Sequence, residues 1–344
     1  MGIAASYRAS GADLPFGDPL PSHGVAMEGY FWRFTDPTSG RAVIALNGVN
    51  RDNSGGHWAT LGLAAHPTGF LRTAAHPEGH ASTTGLGAQA GAAFHGTADH
   101  LRVDLGPDAG VDAEVTSPVP WPRRALGGSS VFQAVPALNQ YWHPWLLGGV
   151  ARGSAVVGDD TWDLDGWTVY AEKNWGKGGF PDSWWWGQAH GFQDPSVCVA
   201  FAGGEVTAGP LRTTVTAVVV LLPGGRLVRL GDPVVSPVQA DVTDERWLLR
   251  GSSARWRIEV EGRGRLDDAH VLPVPLPAER RNVAGAIEHL GASMRVAVHH
   301  RGRLVWQGES HAAALEHGGL NRARREVVRR TGSADATDAP PLRR

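Results

Sequence analysis

Glycine and proline divide this chain into short segments, and no other feature limits its possible folds as much. The 344 residues include 46 Gly and 23 Pro, and the runs between them are short and rich in β-branched or aromatic residues. Such runs are typical of strands joined by turns. In Arg255-Trp-Arg-Ile-Glu-Val260 apolar residues alternate with charged ones, as in a strand with one buried face. Only residues 277–290 and 321–330 have a helical pattern, so the sequence predicts an all-β protein with antiparallel sheets.

A faint internal repeat indicates two similar halves. The aromatic segment 28–34 precedes a turn and the apolar segment 42–46, and the aromatic segment 183–192 precedes a turn and the apolar segment 197–201. In each case an aromatic first strand is followed by an apolar second strand, which is how a lipocalin-like barrel begins.

The length of the chain also favours two units, because 344 residues exceed what one hydrophobic core usually supports. We therefore expect two lipocalin-like antiparallel β-barrel or sandwich domains, one over residues 20–178 and one over residues 179–332. Residues 333–344 are expected to form a disordered tail.

Composition excludes several classes of partner. A formal net charge of −2 provides no electrostatic surface for nucleic acid. The single cysteine, Cys198, rules out an internal disulfide framework and is expected to be an inert core thiol. No secretory signal and no apolar run of about 18 residues occurs, so we expect a cytoplasmic protein without a membrane span. The basic segment 322–330 predicts a helix with a solvated basic face, and peripheral contact with anionic lipid is the alternative.

The segment from Tyr170 to Gln188 is the most informative part of the chain for function. It reads Tyr-Ala-Glu-Lys-Asn-Trp-Gly-Lys-Gly-Gly-Phe-Pro-Asp-Ser-Trp-Trp-Trp-Gly-Gln and contains four of the 14 tryptophans. Aromatic walls beside a carboxylate suit an enzyme that protonates an electron-rich apolar substrate and shelters the resulting cation. The structural alternative is a strand that packs a core, with Glu172 and Lys173 as a solvated ion pair.

This segment resembles the signature of the tocopherol cyclase family. The resemblance lies in Tyr170-Ala-Glu-Lys-Asn-Trp-Gly176, Phe180-Pro181 and Trp184-x-Trp186-x-Gln188. Near the N-terminus, Glu28-Gly-Tyr-Phe-Trp32 resembles the family's Glu-Gly-Trp-Tyr-Phe opening. Near the C-terminus, Ala312-Ala-Ala-Leu-Glu-His-Gly-Gly319 resembles its Ala-Ala-x-Glu-x-Gly-Gly segment. More distantly, the first motif is similar to the Tyr-x-Asp-x-x-Trp-Gly pattern of carotenoid 1,2-hydratases and related lipocalin-like pericyclases.

The resemblance implies closure of a chromanol ring, in which a phenol oxygen adds across a prenyl double bond. Such a reaction requires a strong acid that stays neutral until it is used. Burial among indoles raises a carboxyl pKa above its reference of about 4.3. Glu172 is therefore the first candidate for the general acid, and Glu28, in the aromatic opening segment, is the second.

The remaining candidate residues would hold the substrate or its cation. Trp175, Trp184 and Trp186 could stabilise the cation, and Trp32 belongs to the aromatic segment beside Glu28. Because successive side chains of a strand point to opposite faces of the sheet, Trp184 and Trp186 share one face and Trp185 points to the other. Polar groups that could orient the phenol or accept its proton are Tyr170, Lys173, Asn174, Gln188, His143 and His190, the histidines being alternatively structural.

Three other functions remain open. A hydratase would use the same acid and aromatic wall but admit water. A pericyclase would fold a polyene in the pocket, with Glu172 as a hydrogen-bond donor. A non-catalytic lipocalin-like carrier would need only an apolar cavity for a hydrophobic small molecule.

Metal and nucleotide cofactors are not indicated. Residues 161–172 resemble an EF-hand loop, but the first position is Thr and both flanks have strand patterns, so we predict a hairpin turn over 163–166. The 15 histidines contain no His-Glu-x-x-His pattern. The glycine-rich segment 85–91 does not match a dinucleotide-binding fingerprint. We expect a reaction that needs no cofactor.

Overall fold

The computed structural model of the protein describes residues 2–122, 126–177 and 180–333. Strands account for 57% of residues and helices for 9%, and the strands form two antiparallel sheets. The predicted all-β fold class is therefore confirmed. The predicted domain junction at 178/179 and the tail from residue 334 lie outside the described residues, and the division into domains stays a prediction.

The first sheet is built from the N-terminal half of the chain. Its strands are β1 (Met27–Thr35), β2 (Ala42–Arg51), β3 (His57–His66), β4 (Phe70–His76), β5 (His80–Ala81), β6 (Gly87–Ala90), β7 (Phe94–Thr97), β8 (His100–Asp104), β9 (Ala109–Pro120), β10 (Tyr141–Val157), β11 (Asp160–Asp163) and β12 (Thr168–Gly176). The order across the sheet is β4-β3-β2-β1-β12-β10-β9-β8-β7-β6-β5, with β11 paired to β10. The first and last long strands therefore lie side by side at its centre.

The second sheet is built from the C-terminal half. Its strands are β13 (Trp184–Ala189), β14 (Cys198–Ala208), β15 (Leu211–Leu221), β16 (Leu227–Leu230), β17 (Val238–Val242), β18 (Arg246–Ser252), β19 (Trp256–Arg263), β20 (His270–Leu276), β21 (Arg281–His300) and β22 (Arg303–Gly318). The order is β16-β15-β14-β13-β22-β21-β19-β18-β17, with β20 paired to β21. The tryptophan-rich β13 is central here, as β1 and β12 are in the first sheet.

Helices are few and peripheral. They are α1 (Ile3–Arg8), α2 (Leu320–Thr331) and the 3₁₀ turns Ser130–Ala134, Leu266–Asp268 and Pro277–Glu279. The predicted helix over 321–330 is confirmed by α2, which buries Ala323 and Val327. Two of its arginines, Arg322 and Arg329, form ion pairs with Asp244 and Asp267. Contact of this helix with lipid stays a prediction. No described helix is long and apolar enough to cross a membrane.

The helix predicted over 277–290 is wrong, because all but the first turn of this segment belongs to strand β21. Residues 285–290 are buried on both faces of that strand, since the second sheet packs on one side and the first sheet on the other. A strand buried on both faces loses the alternation of polar and apolar residues that identifies strands in a sequence. The Ala-rich composition and leading proline then imitate a helix start.

Apolar residues form three main clusters, and their positions show how the sheets pack. One cluster lies inside the first sheet, with contributions from both ends of its strand order, such as Ala74 of β4 and Ala88 of β6. The second lies inside the curled second sheet and includes Trp247 and Ile258. The third joins the outer faces of the two sheets. The candidate site lies in this third layer.

The EF-hand-like segment forms a turn, as predicted. Residues 165 and 166 make the turn between β11 and β12, and Gly166 has a φ of 84°. Glu172, which would be the last ligand of a calcium loop, lies on β12 and takes part in a different site.

Candidate active site

A cavity of about 190 Å³ lies between the two sheets. The first sheet contributes wall residues from β1, β2, β10 and β12, and the second contributes residues from β13, β14, β15, β20, β21 and β22. Most of the wall is apolar, and three carboxyl groups, Glu172, Glu288 and Glu316, interrupt it. A largely apolar cavity with a few polar groups is the usual form of a small-molecule site.

Glu172 is buried in this wall and accepts three hydrogen bonds from uncharged donors. The Tyr170 hydroxyl donates at 2.5 Å, the Trp186 indole Nε1 at 2.7 Å and the Trp142 indole Nε1 at 2.8 Å. Burial raises the pKa of the Glu172 carboxyl, while these three hydrogen bonds act in the opposite direction. The group can therefore hold a proton more readily than an exposed glutamate, and its conjugate base is already solvated by the protein.

All three donors bind the same oxygen of Glu172, Oε2. Among the described residues, no hydrogen bond is made to Oε1. A neutral carboxyl whose Oε2 accepts three N–H or O–H groups carries its proton on the other oxygen. When Glu172 is protonated, its proton is therefore on Oε1.

Trp184 and Trp186 lie on one face of β13, and both line the cavity. The Trp184 indole lies over Gly318 of β22, where a Cβ atom would come within 1.8 Å of the ring. Glycine is therefore required at this position of the Ala312–Gly319 segment. Trp185 packs partly against the core of the second sheet and also contributes to the cavity wall.

Asn174 also lies in the wall, on the same face of β12 as Glu172. Its Oδ1 is buried and has no hydrogen-bond partner among the described residues. The neighbouring position on β1 is Gly29, where a Cβ atom would be 2.3 Å from that oxygen. Phe31 packs edge-on to Trp186 at 5.2 Å and Phe180 packs on Trp184 at 4.8 Å, so the aromatic wall comes from both sheets.

Lys173 points to the other face of β12 and does not pair with Glu172. Its Nζ is 2.8 Å from Glu28 Oε2 and donates to the carbonyls of Pro19 and Pro21 at 3.2 and 3.0 Å. The solvated Glu172–Lys173 ion pair considered from the sequence is therefore wrong. The cause is the two-residue period of the strand, which sends adjacent side chains to opposite faces.

Glu28, the second candidate for the acid, lies with Lys173 and not in the cavity wall. It also accepts hydrogen bonds from Ser22 and from the backbone of His23 and Gly24. Burial opposes its ionisation, but the Lys173 ammonium and these hydrogen bonds hold its pKa well below the usual range. An ionised carboxylate of this kind has no proton to donate. Glu28 is therefore placed to stabilise the buried Lys173 ammonium and not to act as an acid.

Trp175 and Trp32 are placed differently from their predicted positions in the substrate wall. Trp175 stacks between Tyr141 and His23, at 5.3 and 4.6 Å, and donates from Nε1 to the Gly11 carbonyl at 2.7 Å. Trp32 is fully buried in the core of the first sheet. Both occupy the faces opposite the cavity, for the same reason of strand alternation.

Gln188, His190 and His143 are buried but do not line the cavity. Gln188 accepts a hydrogen bond from Arg33 Nη1 at 2.7 Å and lies 3.2 Å from His190 Nδ1. Burial lowers the pKa of His190 to about 4, and burial together with Lys173 lowers the pKa of His143 to about 3. Gln188 and His190 form a polar network with Arg33 between the sheets. His143 instead accepts a hydrogen bond from the backbone N–H of Gly128 at 3.3 Å, and none of the three is brought together with Glu172.

Tyr170 contacts Glu172 and not the cavity, since its hydroxyl is fully buried. Burial and the neighbouring Glu172 raise its pKa well above 10, so it remains a hydrogen-bond donor at neutral pH. Tyr170 therefore positions Glu172 through this hydrogen bond. Cys198 is buried, as predicted, and burial raises the pKa of its thiol to about 12.

Three residues of the site were not singled out from the sequence. Trp142 lies far from the motif in sequence, and only the pairing of β10 with β12 brings it to Glu172. Glu288 lies in the segment expected to be helical. Glu316 is the acidic residue of the segment 312–319, so a signal for it was present in the sequence. Within the described ranges no group of three or more His, Cys, Asp or Glu could hold a metal ion.

The part of the chain that contains the candidate site matches a known protein family. The family model described as tocopherol cyclase-like matches residues 108–319, which contain Glu172, both cavity tryptophans, Glu288 and Glu316. A probable chloroplastic tocopherol cyclase of Oryza sativa subsp. japonica is 33% identical over 73 residues. That match covers 21% of this chain and spans only 15% of the rice protein.

Two solved structures share the fold. Kievitone hydratase from Nectria haematococca is similar with a TM-score of 0.52 and 12% identity, over 90% of this chain and 93% of that one. CghA, in a structure with Sch210972, is similar with a TM-score of 0.55 and 11% identity, over 90% and 94% of the two chains. At this level of identity the likeness concerns the fold.

Proposed function

Because this chain belongs to the tocopherol cyclase-like family, we propose that it catalyses the acid-initiated ring closure of a prenylated phenol or quinol without a cofactor. One observation carries the proposal: a buried carboxyl with three uncharged donors on Oε2 lines an aromatic cavity. This arrangement supports proton donation from Glu172 to an alkene.

In the first step the proton on Glu172 Oε1 is transferred to one carbon of the prenyl double bond. The π electrons form the new C–H bond, and the other carbon becomes a tertiary cation. The negative charge left on Glu172 is stabilised by Tyr170, Trp142 and Trp186, whose hydrogen bonds strengthen as the carboxylate forms. The donors are already oriented, so little reorganisation is required at this step.

The cation then lies beside the π faces of the aromatic wall. Trp184 and Trp186 each offer a cation–π interaction of roughly 0.5–2 kcal/mol. The apolar wall also disfavours water beside the cation, which water would otherwise capture. Attack by the phenol oxygen forms the C–O bond, and loss of the phenolic O–H proton completes the neutral closed ring. Asn174, with its unpaired Oδ1, is suited to accept a hydrogen bond from a second hydroxyl of a quinol.

A hydratase would use the same acid and wall and differs only in the nucleophile. A pericyclase or a carrier would use the cavity without proton transfer to carbon. Turnover of a prenylated hydroquinone in D₂O distinguishes these functions, and the readout is mass spectrometry of the product. Ring closure with one deuteron on carbon is expected. Incorporation of oxygen from labelled water would indicate a hydratase, and product or bound ligand without carbon-bound deuterium would contradict the proposal.

A further inference from the structure

Glu288 and Glu316 form a pair of carboxyl groups on the wall of the second sheet. They are register partners on the adjacent antiparallel strands β21 and β22, and both line the cavity. Side chains directly opposite each other in such a pair have Cβ atoms about 4.5–5.5 Å apart and lie on the same face of the sheet. The two carboxyl groups are therefore close neighbours.

Few hydrogen bonds stabilise negative charge on these two carboxyl groups. Glu288 is 1% exposed, and its Oε1 accepts no hydrogen bond within the part of the chain that the structure describes. Glu316 accepts one from Trp184 Nε1. The charge of the buried Arg33 lowers the pKa of Glu288 and so partly offsets the effect of burial. Arg33 directs its hydrogen bonds elsewhere, to Gln188 and to the carbonyls of Leu290 and Ala312.

Two adjacent buried carboxyl groups without a cation between them cannot both ionise near neutral pH, so they share one proton. Burial and the neighbouring Glu316 raise the pKa of Glu288 well above its usual range, and burial, with Glu172 adding to it, raises the pKa of Glu316 to about 7. At neutral pH the pair therefore holds one proton between its two members and can accept a second.

The pair is adjacent to Glu172 through one side chain. Trp186 is the register partner of Glu316 on β13, and its Nε1 donates to Glu172. A substrate over the Trp186 indole is thus bordered by Glu172 on one side and by the pair on the other.

We propose that Glu288 and Glu316 together accept the proton that the substrate hydroxyl loses when the ring closes. This inference rests on the proposed function. As the hydroxyl oxygen donates a lone pair to the cation, its O–H bond breaks and the proton passes to the Glu288–Glu316 pair. The enzyme then has one proton fewer on Glu172 and one more on the pair. Transfer of that proton back across the cavity, after the product leaves, restores the starting state without net gain or loss.

The test uses a prenylated hydroquinone and its methyl ether at the reacting hydroxyl, both in D₂O. The ether cannot lose a hydroxyl proton or close the ring, but its alkene can still be protonated and exchange deuterium. The double variant Glu288→Gln/Glu316→Gln should slow ring closure by about 10²-fold, as for loss of a general base, and keep deuterium exchange into the ether. Glu172→Gln should lose both reactions.

Glu309 provides a matched control, because it lies on the same strand β22 and pairs with Arg295 at the surface. Glu309→Gln should leave both reactions unchanged. If the double variant does not fold, as judged by circular dichroism, the single variant Glu316→Gln replaces it, with the same expected separation of the two reactions. Normal ring closure in the folded variant would overturn the proposal, as would loss of exchange into the ether.

A second measurement does not depend on turnover. The infrared carbonyl band of a protonated carboxylic acid should be present in the ligand-free protein at pH 7, and Glu288→Gln should remove a component of it. An unchanged band in Glu288→Gln would contradict the proposal that Glu288 and Glu316 share a proton. If the wild-type protein incorporates no deuterium into either compound, the proposed function fails, and this infrared result still decides whether the pair holds a proton.

Discussion

Two buried glutamates lie on opposite sides of β12, and their pKa values are shifted in opposite directions. Toward the second sheet, Glu172 is bound by three uncharged donors and its pKa is raised. Toward the inside of the first sheet, Glu28 is 2.8 Å from the Lys173 ammonium and its pKa is lowered. Both side chains are at most 5% exposed, so burial does not explain the difference. The charge of the partner does: neutral donors allow a carboxyl to keep a proton, and an ammonium removes it.

The largest expected effect comes from Glu172→Gln. This substitution keeps the size of the side chain and an oxygen for the three donors, but it removes the acidic proton. Turnover should fall by about 10²–10⁴-fold, the usual cost of losing a general acid, with little change in the free energy of unfolding. Single-turnover kinetics and urea denaturation measure the two quantities.

Glu28→Gln is the matched control for that substitution, on the other face. It leaves the Lys173 ammonium buried without its counter-charge, which typically costs about 3–5 kcal/mol of unfolding free energy. The folded fraction should keep its rate of ring closure. The opposite pattern, a folded Glu28→Gln protein without turnover and an active Glu172→Gln protein, would reverse the assignment of the two glutamates.

A smaller effect is expected from the tryptophans of the same two faces. Trp184→Ala should weaken binding of a prenylated hydroquinone by roughly 0.5–1.5 kcal/mol, because one aromatic packing partner is lost, and titration of indole fluorescence measures this affinity. Trp175→Phe should lower stability, through loss of the hydrogen bond to Gly11, and leave the affinity unchanged. Equal losses of affinity in both variants would contradict the assignment of Trp184, and not Trp175, to the ligand-binding wall.

The smallest expected effect is a shift in pH dependence. Glu172 must be protonated to act, so activity is lost as the pH rises through its pKa. Tyr170→Phe removes a donor that stabilises the carboxylate, which raises this pKa further and moves the alkaline limb of kcat/KM to higher pH. One hydrogen bond of about 1 kcal/mol corresponds to a shift of roughly 0.5–1 pH unit.

Tyr30→Phe is the control for Tyr170→Phe, because the Tyr30 hydroxyl lies 3.4 Å from Glu28 on the other face. Its alkaline limb should match that of the wild type. A shift toward lower pH in Tyr170→Phe would mean that the tyrosine stabilises the protonated form of Glu172.

Local patterns in the sequence were sufficient to predict the all-β fold class and the common face of two cavity tryptophans. Trp184 and Trp186 share a face because of the strand period, and Glu172 belongs to the central motif. The same period also separates Glu172 and Asn174 from Lys173 and Trp175. Strand alternation within β12 is therefore enough to exclude Trp175 from a wall that contains Glu172.

The other contacts depend on pairing between distant strands and could not be predicted. The ion pair of Glu28 with Lys173 requires β1 beside β12, and the pair of Glu288 with Glu316 requires the register of β21 and β22. No alternation within a segment contains that information. For Glu288 the local signal was also misleading, since a strand covered on both faces resembles a helix.

The three hydrogen-bond donors to Glu172 come from both sheets, so cutting the chain between the sheets would separate them. Two of them, Tyr170 and Trp142, come from the first sheet, and the third, Trp186, comes from the second. The acid strength of Glu172 is therefore a joint property of both halves, in the way that an active site at a subunit interface belongs to neither subunit. A split version of this chain would recover a working acid only when its fragments reassociate, so fragment complementation would report directly on the docking of the two sheets.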